Sequence, residues 1–184
     1  MGDAVINPFI TDDAQTLAVY DWAAPEGRET RGVVLIVHGL GEHAMRYQPL
    51  AQHLNAWGFH VRAYDQFGHG LSMGERGEMP RASKLIDDLG ELLDDTTRHW
   101  PGKPRFVLGH SMGGLVASHY VSQQPNALLS GLILSSPALD PGLNPLQKLM
   151  VATLPRIAPN LRVNNGLKAH YLSHNPDVVE AYLN

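Results

Sequence analysis

A serine hydroxyl becomes a nucleophile where the backbone pushes it out beside groups that can take up negative charge, and Gly-x-Ser-x-Gly marks a turn able to do this. The pattern occurs twice, as Gly70-Leu71-Ser72-Met73-Gly74 and as Gly109-His110-Ser111-Met112-Gly113. The first begins several residues beyond the apolar stretch ending near Tyr64 and runs into Glu75-Arg76-Gly77-Glu78-Met79-Pro80, which does not continue as a helix. It is set aside as a decoy. The second follows Arg105-Phe106-Val107-Leu108 directly and leads into Gly114-Leu115-Val116-Ala117-Ser118-His119-Tyr120-Val121, a strand-turn-helix setting. In such a turn the residues two before and two after the serine crowd the neighbouring strand and helix, so Gly109 and Gly113 are the residue type that fits. Ser111 is the candidate nucleophile. The N–H of Met112, at a helix N-terminus, is a candidate donor to the negative charge that develops in acyl transfer. The competing reading, a structural serine in a glycine-rich turn, is disfavoured by the flanking strand and helix.

Acyl transfer needs a second donor, and His38-Gly39-Leu40-Gly41-Glu42-His43 follows the apolar run Val33–Val37. Gly39 and Gly41 allow close backbone approach to a carbonyl, and the donor is assigned to the Leu40 N–H. His38 and Gly39 on this loop, with His110 at the turn, are read as supporting residues. A phosphate-cradling loop is the rival reading of these glycines. It fails because no Gly-Lys-Ser/Thr follows and the Gly-x-Gly-x-x-Gly spacing is missing. His170 and His174 have the i, i+4 spacing of a zinc pair, but no Glu follows the first and no third ligand stands nearby. Neither a metal nor another cofactor is expected.

The elements that must hold these loops follow from periodicity. Val33–Val37 is a continuous apolar run, as in a strand covered on both faces. Thr16–Trp22, Phe59–Tyr64, Phe106–Leu108 and Leu132–Leu134 are further strands. Tyr47, Leu50, Ala51, Leu54 and Trp57 repeat at helical spacing, as do Leu85, Ile86, Leu89, Leu92 and Leu93. The acidic face of the second helix, Asp87, Asp88, Glu91, Asp94 and Asp95, reads as solvated. Strands alternating with helices predict an α/β fold, a mostly parallel sheet with helices on both faces and its site at the C-terminal ends of the strands.

With 184 residues, 43% hydrophobic and 17% charged, the composition is that of a globular domain. Fourteen basic against eighteen acidic side chains give a net charge of −4, and no basic run exists, so nucleic acid is not an expected partner. There are no cysteines, which removes disulfides, thiolate zinc sites and cysteine nucleophiles. The strand-like apolar runs are far short of the roughly 20 residues of a membrane helix. Met1-Gly2-Asp3-Ala4-Val5-Ile6 carries an acid where a secretory signal needs a base, and a cytoplasmic location is the expectation.

The elbow Gly109–Gly114, the His38–His43 loop and Asp65-Gln66-Phe67-Gly68-His69-Gly70-Leu71-Ser72 together resemble the monoglyceride lipase and lysophospholipase branch of the α/β-hydrolases. The likeness extends to Gly74-Glu75-Arg76-Gly77 and to Leu172-Ser173-His174-Asn175-Pro176, which is similar to the family's cap segment. It implies an α/β-hydrolase fold, with Ser111 as nucleophile and the backbone of Leu40 and Met112 as oxyanion donors. Asp65 and the glycines after it look like a structural loop. The implied activity is a serine esterase or lipase, cleaving carboxylic esters such as monoacylglycerols or lysophospholipids through an acyl-serine. A serine aminopeptidase of the same fold and a non-catalytic binding protein are the alternatives.

The resemblance also implies a chain order of Ser, acid, His, whereas the sequence ends at Asn184 in what resembles the cap. Residues 1–136 are therefore read as the N-terminal part of the core and 137–184 as a cap or lid, the chain covering about the first two thirds of a hydrolase. Asp140, His170 and His174 give a nominal in-chain order of acid and His, against the plainer reading of loop and surface residues. The proline-punctuated Leu143, Leu146, Leu149, Met150, Leu154 and Ile157 either line a greasy channel or dock a helix. An acyl-ester or lipid substrate, peripheral membrane contact through the cap, and self-association or a complementing C-terminal fragment through an exposed Leu132–Leu134 edge are the expected partners.

Overall fold

The computed structural model describes residues 3–25, 27, 29–124, 129–140, 142, 153 and 173–183. The chain divides into two compact units, Met1–Pro141 and Gly142–Asn184. The first holds strands β1 (Val5–Ile10), β2 (Thr16–Trp22), β3 (Gly32–Val37), β4 (Phe59–Tyr64), β5 (Arg105–His110) and β6 (Gly131–Ser135). Between them lie a 3₁₀ turn (Ala44–Tyr47) and helices α1 (Gln48–Ala56), α2 (Lys84–His99) and α3 (Met112–Gln123). In the second unit the described residues include helix α4 (Pro176–Leu183). Leu143, Leu146, Leu149, Met150, Leu154 and Ile157, the residues of the channel-or-dock alternative, and His170, of the nominal acid–His order, lie outside the described residues.

The six strands form one sheet in the order β1-β2-β4-β3-β5-β6. The pairs β4–β3, β3–β5 and β5–β6 are parallel, while β1–β2 and β2–β4 are antiparallel. The mostly parallel α/β architecture read from the alternation of elements is thus the observed one. β1 was not foreseen, because Val5-Ile6-Asn7-Pro8-Phe9-Ile10 has no apolar alternation and no two-sided burial. It is an edge strand, and an edge tolerates Pro8 because no ladder bond is needed on its outer side.

All six residues of β3 are buried, which is why the run is continuous. Val34 and Ile36 pack with Ala51 of α1 and with Tyr20, Trp22, Val61 and Ala63 on one face. Leu35 and Val37 pack with Leu85, Leu89, Leu92 and Leu93 of α2 and Val116 and Ala117 of α3 on the other. Strand period two feeds opposite helical layers, so helices cover both faces. Pro49 falls in the first turn of α1, where a missing N–H leaves no bond unmade.

The solvated reading of the acidic face of α2 holds at Asp94, which is exposed, and is corrected at Asp88 and Asp95. Asp88 is wholly buried and ion-paired at 2.7 Å with Lys84, itself wholly buried, one turn earlier. Lys84 also reaches Asp13 at 2.8 Å. Asp95 pairs at 2.7 Å with the buried Arg62, which a bidentate contact to Asp21 and the face of Trp100 also hold. Glu91 accepts the Asp12 N–H. Sequence periodicity identified the polar face, but the cations that cover it come from β4 and from the start of α2 itself.

Register decides where the site lies. Val37 pairs with Tyr64 and with Gly109, and His110 pairs with Ser135. The residues after β3, β4, β5 and β6 therefore emerge at one level of one sheet edge. The chain leaves β3 towards α1 on one face and leaves β5 for α3 on the other, which makes these two strand ends the topological switch point of the sheet.

Candidate active site

Ser111 occupies the single residue between β5 and α3, with φ 51° and ψ −116°. A positive φ at a residue with a Cβ costs on the order of 1–3 kcal/mol and persists only where the surroundings overdetermine it. Here they do. The Ser111 N–H donates to Ser135 O at 3.0 Å, and Ser111 O accepts from Leu115 N–H at 3.1 Å and Ala138 N–H at 3.0 Å. Ser111 is half-buried, and its hydroxyl makes no hydrogen bond among the described residues.

The glycines at this turn are sterically required. A Cβ at Gly109 would lie 2.6 Å from Gly113 O, and one at Gly113 would lie 2.1 Å from Val37 O and 2.5 Å from His38 O. Helix α3 is thereby seated directly on the end of β3. The Met112 N–H, first in the helix, has no acceptor among the described residues.

The loop after β3 is held peptide by peptide. His38 is wholly buried, and its Nε2 accepts the Gln66 N–H at 3.0 Å. That bond fixes the ring proton on Nδ1, which donates to Gly39 O at 2.7 Å. Burial holds the imidazole pKa down to about 4, so the ring is neutral near pH 7. Gln66 Nε2 donates to His38 O at 2.6 Å, and Gly39 N–H donates to Glu42 Oε1 at 2.5 Å. Of the four polar ends of the 38–39 and 39–40 peptides, three have partners. The fourth, the Leu40 N–H, has none among the described residues, and it points away from the carbonyl that His38 holds. A Cβ at Gly39 would lie 3.2 Å from Ser111 Cβ, so the loop abuts the elbow.

The remaining candidates are placed as follows. His110 turns its Nδ1 to Ser135 O and Oγ, both at 3.1 Å, and its ring edge lies 3.3 Å from where a Gly39 Cβ would stand. It flanks the loop and does not bond the Ser111 hydroxyl. Asp65 is buried and accepts from Tyr20 Oη at 2.8 Å, Ala44 N–H at 2.7 Å and Leu71 N–H at 2.8 Å. Ser72 of the decoy donates to Asp65 O at 2.5 Å and accepts the Ala18 N–H at 2.9 Å, bonds that tie down a turn. Asp140 and His119 are exposed. His174 lies in the second unit, just before α4. Sequence reasoning missed Gln66 and Glu42. The available signal was a polar side chain two residues after a buried strand for the first. For the second it was an acid three residues beyond Gly39, within reach of a backbone N–H.

The sequence matches the serine aminopeptidase S33 family over residues 28–184. Among curated relatives it is 39% identical to a monoacylglycerol lipase of Mycolicibacterium smegmatis over 166 residues, covering 89% of this chain and 58% of that protein. It is 38% identical to the phospholipase YtpA of Bacillus subtilis over 151 residues, 81% of this chain and 58% of that one. A crystal structure of Paleococcus ferrophilus monoacylglycerol lipase superposes with a TM-score of 0.77 at 37% identity, over 91% of this chain and 62% of that chain. The chain thus spans less than two thirds of the length of each. The family match and the structural superposition agree: this chain belongs to the serine aminopeptidase S33 family of α/β-hydrolases and is similar to its monoacylglycerol lipases.

Proposed function

We propose that the protein is a serine hydrolase of carboxylic esters, of the monoacylglycerol or lysophospholipid type, working through an acyl-serine intermediate. The observation that carries this reading is a strained, half-buried Ser111 abutted by the loop that bears Leu40, with the Leu40 and Met112 N–H groups lacking acceptors among the described residues. Ser111 Oγ attacks the ester carbonyl carbon, and its proton passes to a histidine base. The carbonyl oxygen, now negative, is held by the two N–H groups. Collapse breaks the bond to the leaving oxygen, which takes the proton from the histidine, and water releases the acyl group by the same steps in reverse roles. No described histidine bonds the Ser111 hydroxyl. The reading therefore assigns the base and its acid to residues outside those described, in the order Ser, acid, His.

The names of relatives, a monoacylglycerol lipase and a phospholipase, support a lipid ester as substrate. Residues 137–184 are assigned as the cap, with contact to a lipid surface as its role. Among the described residues no helix is long and apolar enough to cross a membrane. The family description favours one second reading, an aminopeptidase.

The test is labelling of the full-length protein with a fluorophosphonate probe, followed by turnover of a monoacylglycerol, a lysophospholipid and an aminoacyl p-nitroanilide. Labelling that Ser111→Ala abolishes, with turnover of the lipid esters only, is the expected result. A wild type that does not label, or a Ser111→Ala variant that labels equally, removes the hydrolase reading. Preferential anilide turnover replaces the esterase with the peptidase.

A further inference from the structure

We infer that Glu42 is a positioning residue that locks the 38–39 peptide, on which the direction of the adjacent, oxyanion-binding 39–40 peptide depends, an inference that rests on the ester-hydrolase reading above. Two carbonyls of the loop after β3 are held from the direction of β4 and the loop core, by Gln66 Nε2 on His38 O and by His38 Nδ1 on Gly39 O. Carbonyl contacts alone leave the 38–39 peptide free to rock about the line joining them. Among the described residues one group holds an N–H of the 38–40 segment, the Glu42 carboxylate on Gly39. It fixes the rotation of the 38–39 peptide, and the next peptide, held at Gly39 O by His38, then has its Leu40 N–H set relative to a fixed neighbour.

The carboxylate is itself held. Oε1 accepts a second bond from Tyr47 Oη at 2.7 Å, and Oε2 lies 3.6 Å from Arg46 Nε. The side chain is only 13% exposed, so the bond to Gly39 is charge-assisted and partly shielded from water, the stronger class of backbone contact. Burial and the Glu42 charge push the Tyr47 phenol well above its ordinary range, so the phenol stays a donor. Distance fixes what Glu42 can do. A Cβ at Gly39 would lie 2.8 Å from Glu42 Oε1 and 3.2 Å from Ser111 Cβ. The carboxylate oxygen and the nucleophile's Cβ therefore both border the open side of Gly39. With Oε1 committed to the Gly39 N–H and the Tyr47 hydroxyl, Glu42 acts through the loop.

The experiment compares Glu42→Gln, Glu42→Ala and Glu42→Asp in the full-length protein, with p-nitrophenyl butyrate turnover, thermal melts and the Gly39 amide proton resonance. Glutamine keeps an acceptor oxygen at the same reach, whereas alanine has none and aspartate keeps the charge one methylene too short. Loss of aim at one oxyanion donor is expected to lower kcat about tenfold or more in the alanine and aspartate variants, with KM within about twofold. Glutamine is expected to restore most of that loss. In parallel, the Gly39 amide proton, downfield in the wild type, moves upfield in the alanine and aspartate variants and stays in Ser111→Ala. Where Glu42→Ala melts too low to assay, Glu42→Asp decides alone. Wild-type kcat in Glu42→Asp, or a glutamine variant no better than alanine, overturns the inference. A wild type that neither labels nor turns over ester defeats the hydrolase reading instead. The Gly39 resonance then still decides whether Glu42 orders this loop.

Discussion

Substituting Gly113 by alanine adds one methyl group at the point where helix α3 meets the end of β3. The added carbon would stand 2.1 Å from Val37 O and 2.5 Å from His38 O, where carbon and carbonyl oxygen approach to about 3.3 Å. Neither obstacle is a side chain that can swing aside. Relief requires α3 and the β3 end to separate by about 1 Å, in a core packed to crystal-like density. Overpacking of this kind costs roughly 1–3 kcal/mol and more where backbone must move, so about 3 kcal/mol is expected. At about 2–4 °C per kcal/mol for a protein of this size, the melting temperature falls by roughly 6–12 °C. Because His38 begins the loop that bears Leu40, the fluorophosphonate labelling rate at Ser111 falls as well. Gly77→Ala is the control: its φ is +81° with nothing within 4 Å of the new carbon. Only the left-handed backbone penalty of about 1 kcal/mol applies there, with roughly 2–4 °C of melting and unchanged labelling. A Gly113→Ala protein that melts with the Gly77→Ala control and labels at the wild-type rate refutes the reasoning.

The decoy serine gives a second test: Ser72→Ala strands Asp65 O and the Ala18 N–H and is expected to lower stability by about 1–3 kcal/mol in urea unfolding. Labelling at Ser111 persists, and its loss would restore Ser72 as a contender. The pH dependence follows from His38, whose imidazole falls from 6.5 to about 4 on burial. A depressed pKa means the unfolded chain binds the proton first, so stability is full above pH 6.5 and is lost as pH falls through 4, by up to roughly 3 kcal/mol. His38→Asn should remove that share of the slope, and parallel urea-stability curves for the two proteins between pH 7.5 and 4 would contradict it. Finally, β6 is an end strand on which Ile133 is 46% and Leu134 39% exposed. A chain of these 184 residues is expected to self-associate in light scattering, with Ile133→Lys reducing the mass; a wild-type monomer with a cooperative melt counts against this.

Periodicity alone located five of the six strands, because strands buried on both faces, such as Val33–Val37, leave a continuous apolar run that helices do not share. It also separated the two Gly-x-Ser-x-Gly segments, since a nucleophile turn needs a strand immediately before it and a helix immediately after it, and only the segment around Ser111 has both. These are local requirements, written within about a dozen residues. β1 left no such mark, as an edge strand needs burial on neither face.

What tertiary structure decided is everything that depends on which strands are neighbours. The order β4-β3-β5 brings Gln66 from one strand end onto His38 at the next and seats Gly113 against Val37 from the other side. Folding likewise brings Arg62 of β4 onto Asp95, 33 residues further on, so that an acid spaced like part of a solvated face is ion-paired with a buried cation. Sequence fixes the side-chain period of each element because that period is a property of a single backbone. It cannot fix partners separated by tens of residues, because those bonds form only once the strands have chosen their order and register.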